Sequence, residues 1–370
     1  MLPEPLSFSL PLGIAIALAA LLSHVFVRIV IRRAADWGLQ DLPNERSSHR
    51  TPTPRGGGIG IVLAFAVVGP LALPAGLTAG GAVWLVGAAA LFLALIGLAD
   101  DVRGLGLAIR LFAQAAAVAA LALALSTAAM PPESDLGLLA ALTGGTTAER
   151  WLSGHLPPGI AAALDVGVAA ALFLGGIWWI NLFNFMDGVD GIAATQALFM
   201  LLAGAALDGF SASAPADRLG LVLAAAVAGF LLLNWSPARV FMGDAGSLFL
   251  GFGILAMAAH DVTSGNTTGW TWLILGATFL TDATVTLVRR ASTGQNVTGA
   301  HRSHAYQRLS RRWGGHSRVT LVYCLVNVGW LLPLALLAQR KPGWAPWLLG
   351  IGCLPLVVVA WRLGAGLKDT

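Results

Sequence analysis

Residues 181–191 read Asn-Leu-Phe-Asn-Phe-Met-Asp-Gly-Val-Asp-Gly and lie between two long apolar runs. Two amides and two carboxylates recur here at intervals of three residues, at Asn181, Asn184, Asp187 and Asp190. Because a helix turns by about 100° per residue, consecutive members are neighbours, while the first and last drift to different faces. Such groups are costly beside a bilayer. We therefore interpret this segment as a candidate functional site at the end of a membrane helix.

The composition of the 370-residue chain is that of a membrane protein. Hydrophobic residues make up 57% and charged residues 11%, against roughly 25% charged residues in soluble domains. A bilayer core of about 30 Å needs roughly 20 apolar residues per helix. The sequence therefore predicts an all-α, polytopic integral membrane protein with about 11 transmembrane helices in one domain, residues 1–370. The predicted runs cover residues 6–31, 57–75, 79–99, 107–129, 159–183, 191–208, 219–235, 243–260, 269–288, 319–338 and 344–363.

Basic residues set the predicted orientation. If the N-terminus is periplasmic, eighteen of the 22 Lys and Arg residues fall in connections that face the cytoplasm. This is the asymmetry that the positive-inside rule describes, and it also predicts a cytoplasmic C-terminus. The same orientation brings five acids from three separate hairpins to cytoplasmic helix ends: Asp100, Asp101, Asp187, Asp190 and Asp244.

Two motifs place acids at helix ends. Asp100 and Asp101 close the third run, and adjacent carboxylates repel unless a cation or a proton lies between them. The alternative is a solvated helix end, although two acids at a helix C-terminus oppose the helix dipole. Asp244 opens the eighth run between Gly243 and Gly246. A lone aspartate there is usually an N-cap, but the glycines leave room for a phosphate or a metal.

Two loops carry basic groups that are candidates for phosphate binding. The first includes Pro-Thr-Pro-Arg-Gly-Gly at residues 52–57, for which a simple Pro/Gly-rich linker is the alternative. The loop after the ninth run holds His301, Arg302 and His304, a trio that can clamp a diphosphate. Contact with anionic lipid is the alternative for the arginines. Zinc ranks below a hard ion, because the nearby carboxylates and amides are ligands for oxygen-preferring metals.

Two acids lie inside predicted runs. For Asp282, both a functional role and a structural pairing with Arg289 or Arg290 are open. Asp165 has no assigned role, and neither does the outside connection near residues 130–158.

Taken together, these motifs resemble those of the polyprenyl-phosphate N-acetylhexosamine-1-phosphate transferases, which are glycosyltransferases of family 4. The resemblance runs from about residue 40 to residue 312, with the motifs in the same order and in successive loops. It implies one active site on the cytoplasmic face of the bacterial inner membrane. The loops that would form this site lie near residues 40–58, 100–110, 181–191, 235–247 and 289–318.

The resemblance also implies a reaction. A phosphate oxygen of undecaprenyl phosphate would attack the β-phosphate of a UDP-N-acetylhexosamine and release UMP, initiating O-antigen or another cell-surface polysaccharide. The expected cofactor is Mg²⁺, with Mn²⁺ as a substitute. The expected partners are the two substrates and the bilayer, without nucleic acid, and a homodimer is left open.

The family's motifs assign roles to ten residues of this sequence. The implied metal ligands are Asp244 and Asn184. Asp100, Asp101 and Asp187 are the implied catalytic residues. The implied substrate-binding residues are Arg55, Asp190, His301, Arg302 and His304.

The last loop departs from the family pattern. Initiating enzymes usually carry Arg-x-His-x-His-His-Arg-Leu, whereas residues 302–309 read Arg-Ser-His-Ala-Tyr-Gln-Arg-Leu. Together with Asn-Glu-Arg-Ser-Ser-His at residues 44–49, this loop resembles O-antigen initiators that use 6-deoxy sugars such as N-acetylfucosamine or N-acetylquinovosamine. The missing triple-histidine signature argues against the phospho-MurNAc-pentapeptide translocase.

An ion-coupled transporter or a flippase for lipid-linked sugars is the competing class, because such proteins also carry acids near the bilayer. Coupling sites of transporters lie near the membrane midplane. Asp100, Asp101, Asp187, Asp190 and Asp244 instead lie at one edge, in loops rich in Gly and Arg. Their placement therefore favours the enzyme.

Overall fold

The computed structural model describes residues 10–42, 52–74, 81–127, 158–207, 209, 215–297, 299 and 301–368. Three features of the sequence lie outside this described part: residues 44–49, the outer connection up to residue 157 and the side chain of Asp165.

Helices dominate the described part of the chain. In order they are α1 (Leu12–Arg33), α2 (Gly58–Ala72), α3 (Gly81–Arg103), α4 (Leu107–Thr127), α5 (Pro158–Phe185), α6 (Ile192–Leu207), α7 (Pro215–Asn234), α8 (Asp244–Thr263), α9 (Gly269–Leu275), α10 (Ala277–Ser292), α11 (Ala305–Trp313), α12 (His316–Val326), α13 (Leu332–Arg340) and α14 (Ala345–Arg362). A π-helical turn, Asn327–Leu331, joins α12 to α13, and a 3-10 turn, Pro342–Trp344, precedes α14.

The helices have the length and composition of membrane spans. Among the described residues, eight helical segments can cross a membrane, and α9 with α10 makes a ninth if this pair, bent by 78°, is one span. α2 and α6 are shorter apolar helices. Every predicted run coincides with a described helix or group of consecutive helices, so the all-α polytopic membrane fold is confirmed. The number of spans, the single domain and the sides of the termini stay predictions.

Many outward-facing side chains are apolar. Phe112, Leu232 and Trp347 each leave about three quarters of their surface exposed, at 75%, 73% and 76%. An apolar exterior of this kind is expected where lipid tails replace water as the surrounding medium.

α8 lies at the centre of the bundle and packs against α2, α3, α5 and α6. Glycines allow its first turn to approach its neighbours closely. A Cβ atom at Gly97 of α3 would overlap the backbone carbonyl of Asp244, and one at Gly58 of α2 would overlap the Cα of Gly246. The end of α3 and the starts of α2 and α8 are therefore fixed against one another.

A short hairpin holds the loop before α2 in place. Strands β1 (Gln40–Asp41) and β2 (Thr53–Pro54) pair in antiparallel register, with Gln40 opposite Pro54. Beyond β2, the Phe241 amide donates to the Pro54 carbonyl at 2.8 Å, and the Gly57 amide donates to the Phe241 carbonyl at 2.8 Å. These bonds bring Arg55 beside the start of α8.

Candidate active site

Polar side chains from separate helices meet where α3 and α5 end and α2, α4 and α8 begin. The guanidinium of Arg55 bridges two carboxylates: its Nε lies 2.8 Å from Asp101 Oδ1, and its Nη2 lies 3.2 Å from Asp244 Oδ1. We call the set Arg55, Asp100, Asp101, Arg110, Asn184 and Asp244 the Asp244 centre.

Asp101 anchors the start of α8. Its side chain is fully enclosed, with 0% exposure. Its two oxygens accept the amides of Asp244 at 3.0 Å and Ala245 at 3.2 Å. The first amides of a helix have no partner within the helix, so a carboxylate from α3 supplies it. The role of base stays a prediction for Asp101; the geometry gives it the role of holding Asp244 in position.

Asp100 orients a second arginine, which the sequence analysis did not single out. Arg110 Nη1 lies 3.0 Å from Asp100 Oδ2 and 4.0 Å from Asp244 Oδ2. The amide of Leu105 donates to Asp100 Oδ1. The available signal was the position of Arg110 in the first turn of the helix that follows the Asp-Asp pair. Two arginines thus flank Asp244, with their side chains 37% and 30% exposed.

The two asparagines of the 181–191 segment have different partners. Asn184 Nδ2 donates to Asp244 Oδ1 and to Ser247 Oγ, both at 2.9 Å. Asn181 instead exchanges hydrogen bonds with Gln114 of α4. Positions three apart are neighbours on a helix, so this separation is set by the helices packed against α5, which are α4 beside Asn181 and α8 beside Asn184. Asn184 therefore belongs to the Asp244 centre, and Asn181 joins α5 to α4.

Asp187 follows the end of α5 and adds negative charge to the centre. Its removal from water raises its pKa well above the usual value, and the charges of Asp244 and Asp101 raise it further, although Arg55 opposes them. If all groups are ionised, four carboxylates face two guanidinium groups. This excess of negative charge favours a bound cation.

The donor set fits a hard divalent cation. Among the described residues, no group of three His, Cys, Asp or Glu side chains is arranged to hold a metal ion by itself. Mg²⁺ commonly uses only one or two protein carboxylates and completes its shell with water and substrate phosphate oxygens. Asp244 and Asn184 would hold such an ion. The amide of Asn184 would have to rotate so that its oxygen, and not its nitrogen, faces the ion, because oxygen is the ligand atom of an amide.

We expect Asp187→Asn to stabilise the protein and to lower its activity. A raised pKa means that the charged carboxylate weakens the folded state above the unfolded-state pKa of about 4. Without metal, in EDTA, the unfolding midpoint should rise by roughly 2 °C or more near neutral pH, and this gain should shrink as the pH falls toward about 4. Thermal unfolding across pH measures this shift.

The matched control is Asp36→Asn, because Asp36 is an exposed acid paired only at the surface with Arg33, where both side chains are 64% exposed. Its midpoint should stay at that of the wild type. A fall in the midpoint of Asp187→Asn at neutral pH would contradict the expected repulsion.

The His loop, residues 301–304, lies against α10 through a buried carboxylate. Asp282 Oδ1 lies 3.4 Å from His304 Nδ1 and accepts the Ala305 amide at 2.8 Å. The predicted alternative of pairing with Arg289 or Arg290 is wrong. Arg289 instead donates to the Trp361 carbonyl at 2.9 Å and Arg290 to the Asn296 carbonyl, and both arginines lie about two turns, roughly 10 Å, further along α10 than the carboxylate.

His301 is neutral near physiological pH. Burial lowers its pKa to about 4, and the positive charges of His304 and Arg290 contribute. Its Nδ1 lies 3.1 Å from Ser303 Oγ. At neutral pH the ring of His301 therefore carries no positive charge that could pair with a phosphate, and its predicted role in substrate binding stays a prediction. Arg302 is half-buried, and its carbonyl accepts a hydrogen bond from Arg311 at 3.0 Å.

Tyr306 connects the His loop to the 181–191 segment. Its side chain is fully buried, and its hydroxyl donates to the Phe185 carbonyl at 3.0 Å. The hydroxyl also lies so close to Gly188 that a Cβ atom there would overlap it. The first turn of α11, which directly follows the His loop, is therefore in contact with residues 185–188, which we call the Asp187 turn.

Asp190 lies beside a histidine that the sequence analysis missed. His316 Nδ1 is 2.9 Å from Asp190 Oδ1, and the Ala238 amide donates to Oδ2 at 3.1 Å. Burial alone would raise the pKa of Asp190, but the hydrogen bond and charge of His316, with the Ala238 amide, lower it. These contacts fix the loop between α5 and α6. The predicted role of Asp190 in substrate binding stays a prediction.

The fold and the Asp244 centre define a polytopic membrane protein with a polar site at one end of its helical bundle. The chain belongs to a known family: the family described as "Glycosyl transferase family 4" matches residues 83–261, which include α3 to α8. The matched range contains the whole Asp244 centre except Arg55.

Three relatives match most of the chain. A decaprenyl-phosphate N-acetylglucosaminephosphotransferase of Mycobacterium tuberculosis is 28% identical over 83% of this chain and 78% of its own. A probable undecaprenyl-phosphate N-acetylglucosaminyl 1-phosphate transferase of Bacillus subtilis is 27% identical over 85% and 81%. A phospho-N-acetylmuramoyl-pentapeptide-transferase of Mycolicibacterium gilvum is 30% identical over 75% and 81%. The family to which the sequence motifs pointed is confirmed.

Proposed function

We propose that this protein transfers an N-acetylhexosamine 1-phosphate group from a UDP-sugar to undecaprenyl phosphate and releases UMP. The observation that carries the proposal is the Asp244 centre, where two arginines and an amide surround one carboxylate at 2.9–4.0 Å. The names of the relatives from Mycobacterium tuberculosis and Bacillus subtilis describe polyprenyl-phosphate sugar-phosphate transfer, and they support the same class of reaction.

The reaction is a phosphoryl transfer between two polyanions. An oxygen of the lipid phosphate attacks the β-phosphorus and forms a new P–O bond. The bond from the β-phosphorus to the oxygen bridging the two phosphates breaks, and UMP leaves with that oxygen. A phosphate monoester has its second pKa near 6, so the attacking oxygen carries no proton at neutral pH. Neither the enclosed Asp101 nor the arginine-paired Asp100 then has to act as a base.

Some residues of the Asp244 centre are placed to bind phosphate groups, and others hold these binding residues in position. Arg55 and Arg110 flank Asp244 and are placed to bind phosphate oxygens on which charge develops. Asp244 and Asn184 would hold Mg²⁺ or Mn²⁺, with Asp187 beside them. When bound, such an ion neutralises phosphate charge and acts as a Lewis acid. Asp100 keeps Arg110 oriented, and Asp101 keeps Asp244 in place.

We place this end of the bundle at the cytoplasmic face of the bacterial inner membrane, because most basic residues fall on that side. The transfer would then begin the assembly of O-antigen or of another cell-surface polysaccharide. A transporter or flippase is the second candidate, but the acids gather at helix ends and not near a midplane, which favours the enzyme.

The sugar is the least constrained part of the proposal. Two relatives carry N-acetylglucosamine in their names, whereas the loop of residues 301–309 resembles that of enzymes using 6-deoxy sugars. Tyr306 stands where the common pattern has a histidine. Tyr306 is fully buried and its hydroxyl bonds to the Phe185 carbonyl, so this position offers the sugar neither an imidazole nor a free hydroxyl, and a 6-deoxy-N-acetylhexosamine is our choice.

A UMP-release screen tests the function. Purified protein with Mg²⁺ would be given UDP-GlcNAc, UDP-GalNAc, UDP-FucNAc or UDP-QuiNAc, each with and without undecaprenyl phosphate. We expect UMP only when the lipid is present, with a 6-deoxy sugar preferred. The proposal would be refuted if none of the four UDP-sugars gave UMP, or if UMP release were equal without undecaprenyl phosphate.

A further inference from the structure

Asp282 is a buried carboxylate that the proposed reaction does not use. It lies in α10 with 2% exposure, and donors from three helices surround it. Oδ1 accepts the Ala305 amide at 2.8 Å and the Thr286 hydroxyl at 3.3 Å. Oδ2 accepts the Tyr306 amide at 2.9 Å and the Tyr323 hydroxyl at 2.7 Å. Four hydrogen bonds therefore hold the carboxylate in a single orientation.

The carboxylate in turn faces His304. Its Oδ1 lies 3.4 Å from His304 Nδ1. The imidazole stacks with the ring of His301, at 4.9 Å between centroids, and with the ring of Tyr306, at 5.6 Å. Asp282 and these two rings enclose the imidazole, and His304 is only 4% exposed. Nε2 is the ring nitrogen that remains for a substrate.

We propose that Asp282 is a positioning residue for the nucleotide sugar, because it fixes His304 so that Nε2 faces the diphosphate. This inference rests on the proposed function. A carboxylate that holds one imidazole nitrogen sets the tautomer and the orientation of the ring. With Nδ1 facing Asp282 at 3.4 Å, Nε2 is left to bond to a phosphate oxygen.

The carboxylate of Asp282 also connects the His loop to the 181–191 segment. Its bonds to the amides of Ala305 and Tyr306 fix the first turn of α11, and the Tyr306 hydroxyl bonds to the Phe185 carbonyl. Asp282 thereby sets the distance between His304 and the Asp187 turn. Displacement of the Asp282 carboxylate would therefore weaken binding of the UDP-sugar more than binding of undecaprenyl phosphate.

A double-mutant cycle on donor kinetics tests the inference. We expect Asp282→Asn to raise the KM for the UDP-sugar by about 10- to 100-fold, while the KM for undecaprenyl phosphate changes by less than about twofold. His304→Ala should act in the same direction. The double variant should be no worse than His304→Ala alone, because Asp282 acts through His304. An unchanged donor KM in Asp282→Asn, or effects that multiply in the double variant, would overturn the inference.

Two further variants keep the test decisive. If Asp282→Asn does not fold, Tyr323→Phe is the second variant, because it removes one hydrogen bond to the carboxylate. It should raise the KM for the UDP-sugar about two- to fivefold, and it should have no further effect when His304 is alanine. An unchanged KM for the UDP-sugar in Tyr323→Phe would contradict the inference. Thr281→Val is the matched control, because the Thr281 hydroxyl bonds only within α10. If the wild type releases no UMP, the proposed function fails; an active wild type with multiplying effects refutes only the role of Asp282.

Discussion

We expect Asp244→Asn to lower the rate of UMP release by about a hundredfold to a thousandfold. Asparagine keeps the shape of the side chain but removes the charge that faces Arg55 at 3.2 Å and Arg110 at 4.0 Å. The two guanidinium groups then lose the carboxylate that orients them, and a divalent cation loses its only charged ligand in the proposed pair. Initial rates at saturating concentrations of both substrates measure this change.

The control for Asp244→Asn lies on the same helix. Asp261 is also buried, with 4% exposure, but it lies about 26 Å further along α8 at 1.5 Å per residue. Asp261→Asn should keep a rate near that of the wild type. A full rate in Asp244→Asn would refute the assignment of the centre.

A second readout separates the metal from the substrate. Binding of Mn²⁺, followed by electron paramagnetic resonance, should weaken in Asp244→Asn and stay unchanged in Asp261→Asn. A lost rate with intact Mn²⁺ affinity would mean that Asp244 contacts the substrate and does not hold the metal.

Gly97→Ala has the second-largest expected effect. The added methyl group would overlap the backbone carbonyl of Asp244, so α3 and α8 must move apart. Overpacking of this kind typically costs about 1–3 kcal/mol of folding free energy. The movement also separates Asp101 from the amides of Asp244 and Ala245, and we expect at least about a tenfold loss of rate, given the sensitivity of catalysis to small displacements. Thermal unfolding and UMP release measure the two effects.

Gly87→Ala is the matched control, ten residues earlier in α3. A Cβ atom at Gly87 meets nothing within 4 Å, and alanine favours a helix over glycine by about 1 kcal/mol. This variant should keep its activity and be as stable as the wild type or slightly more stable. Equal losses in the two variants would show that the close approach at Gly97 does not matter.

The sequence reveals the parts of the site that local spacing encodes. The interval of three residues marks Asn184 and Asp187 as candidate site residues at the end of one helix, but it does not predict that Asn181 bonds to Gln114 or Asn184 to Asp244. The Asp-Asp pair and the glycines around Asp244 are likewise visible as short motifs. Apolar runs locate the helices, because bilayer thickness sets their length.

The partners of these motifs were not accessible from spacing. His316 meets Asp190 across 126 residues of sequence, and Tyr323 meets Asp282 across 41. Such contacts depend on how helices pack, and no local pattern records that. In the sequence alone, a histidine at the start of a helix or a tyrosine within an apolar run does not differ from one that has no partner of this kind.

The break in the ninth run was also hidden. Residues 269–288 are continuously apolar enough to predict one helix, yet α9 and α10 bend by 78° at Gly276. The ring of Trp179 occupies the space where a side chain at Gly276 would lie. Buried hydrogen bonds beside the break satisfy Gln196, Thr278 and Asn327, which lie in three different helical segments. The bend therefore results from tertiary packing.

The fate of the β-phosphorus tests the central claim most directly. Purified protein, Mg²⁺ and undecaprenyl phosphate would be incubated with the preferred UDP-sugar carrying a radioactive β-phosphorus. We expect the label in the lipid fraction and unlabelled UMP in the aqueous phase. Label recovered in released UDP, as transfer of the sugar alone would give, or label left entirely in intact UDP-sugar, would contradict the transfer of a sugar 1-phosphate at the Asp244 centre.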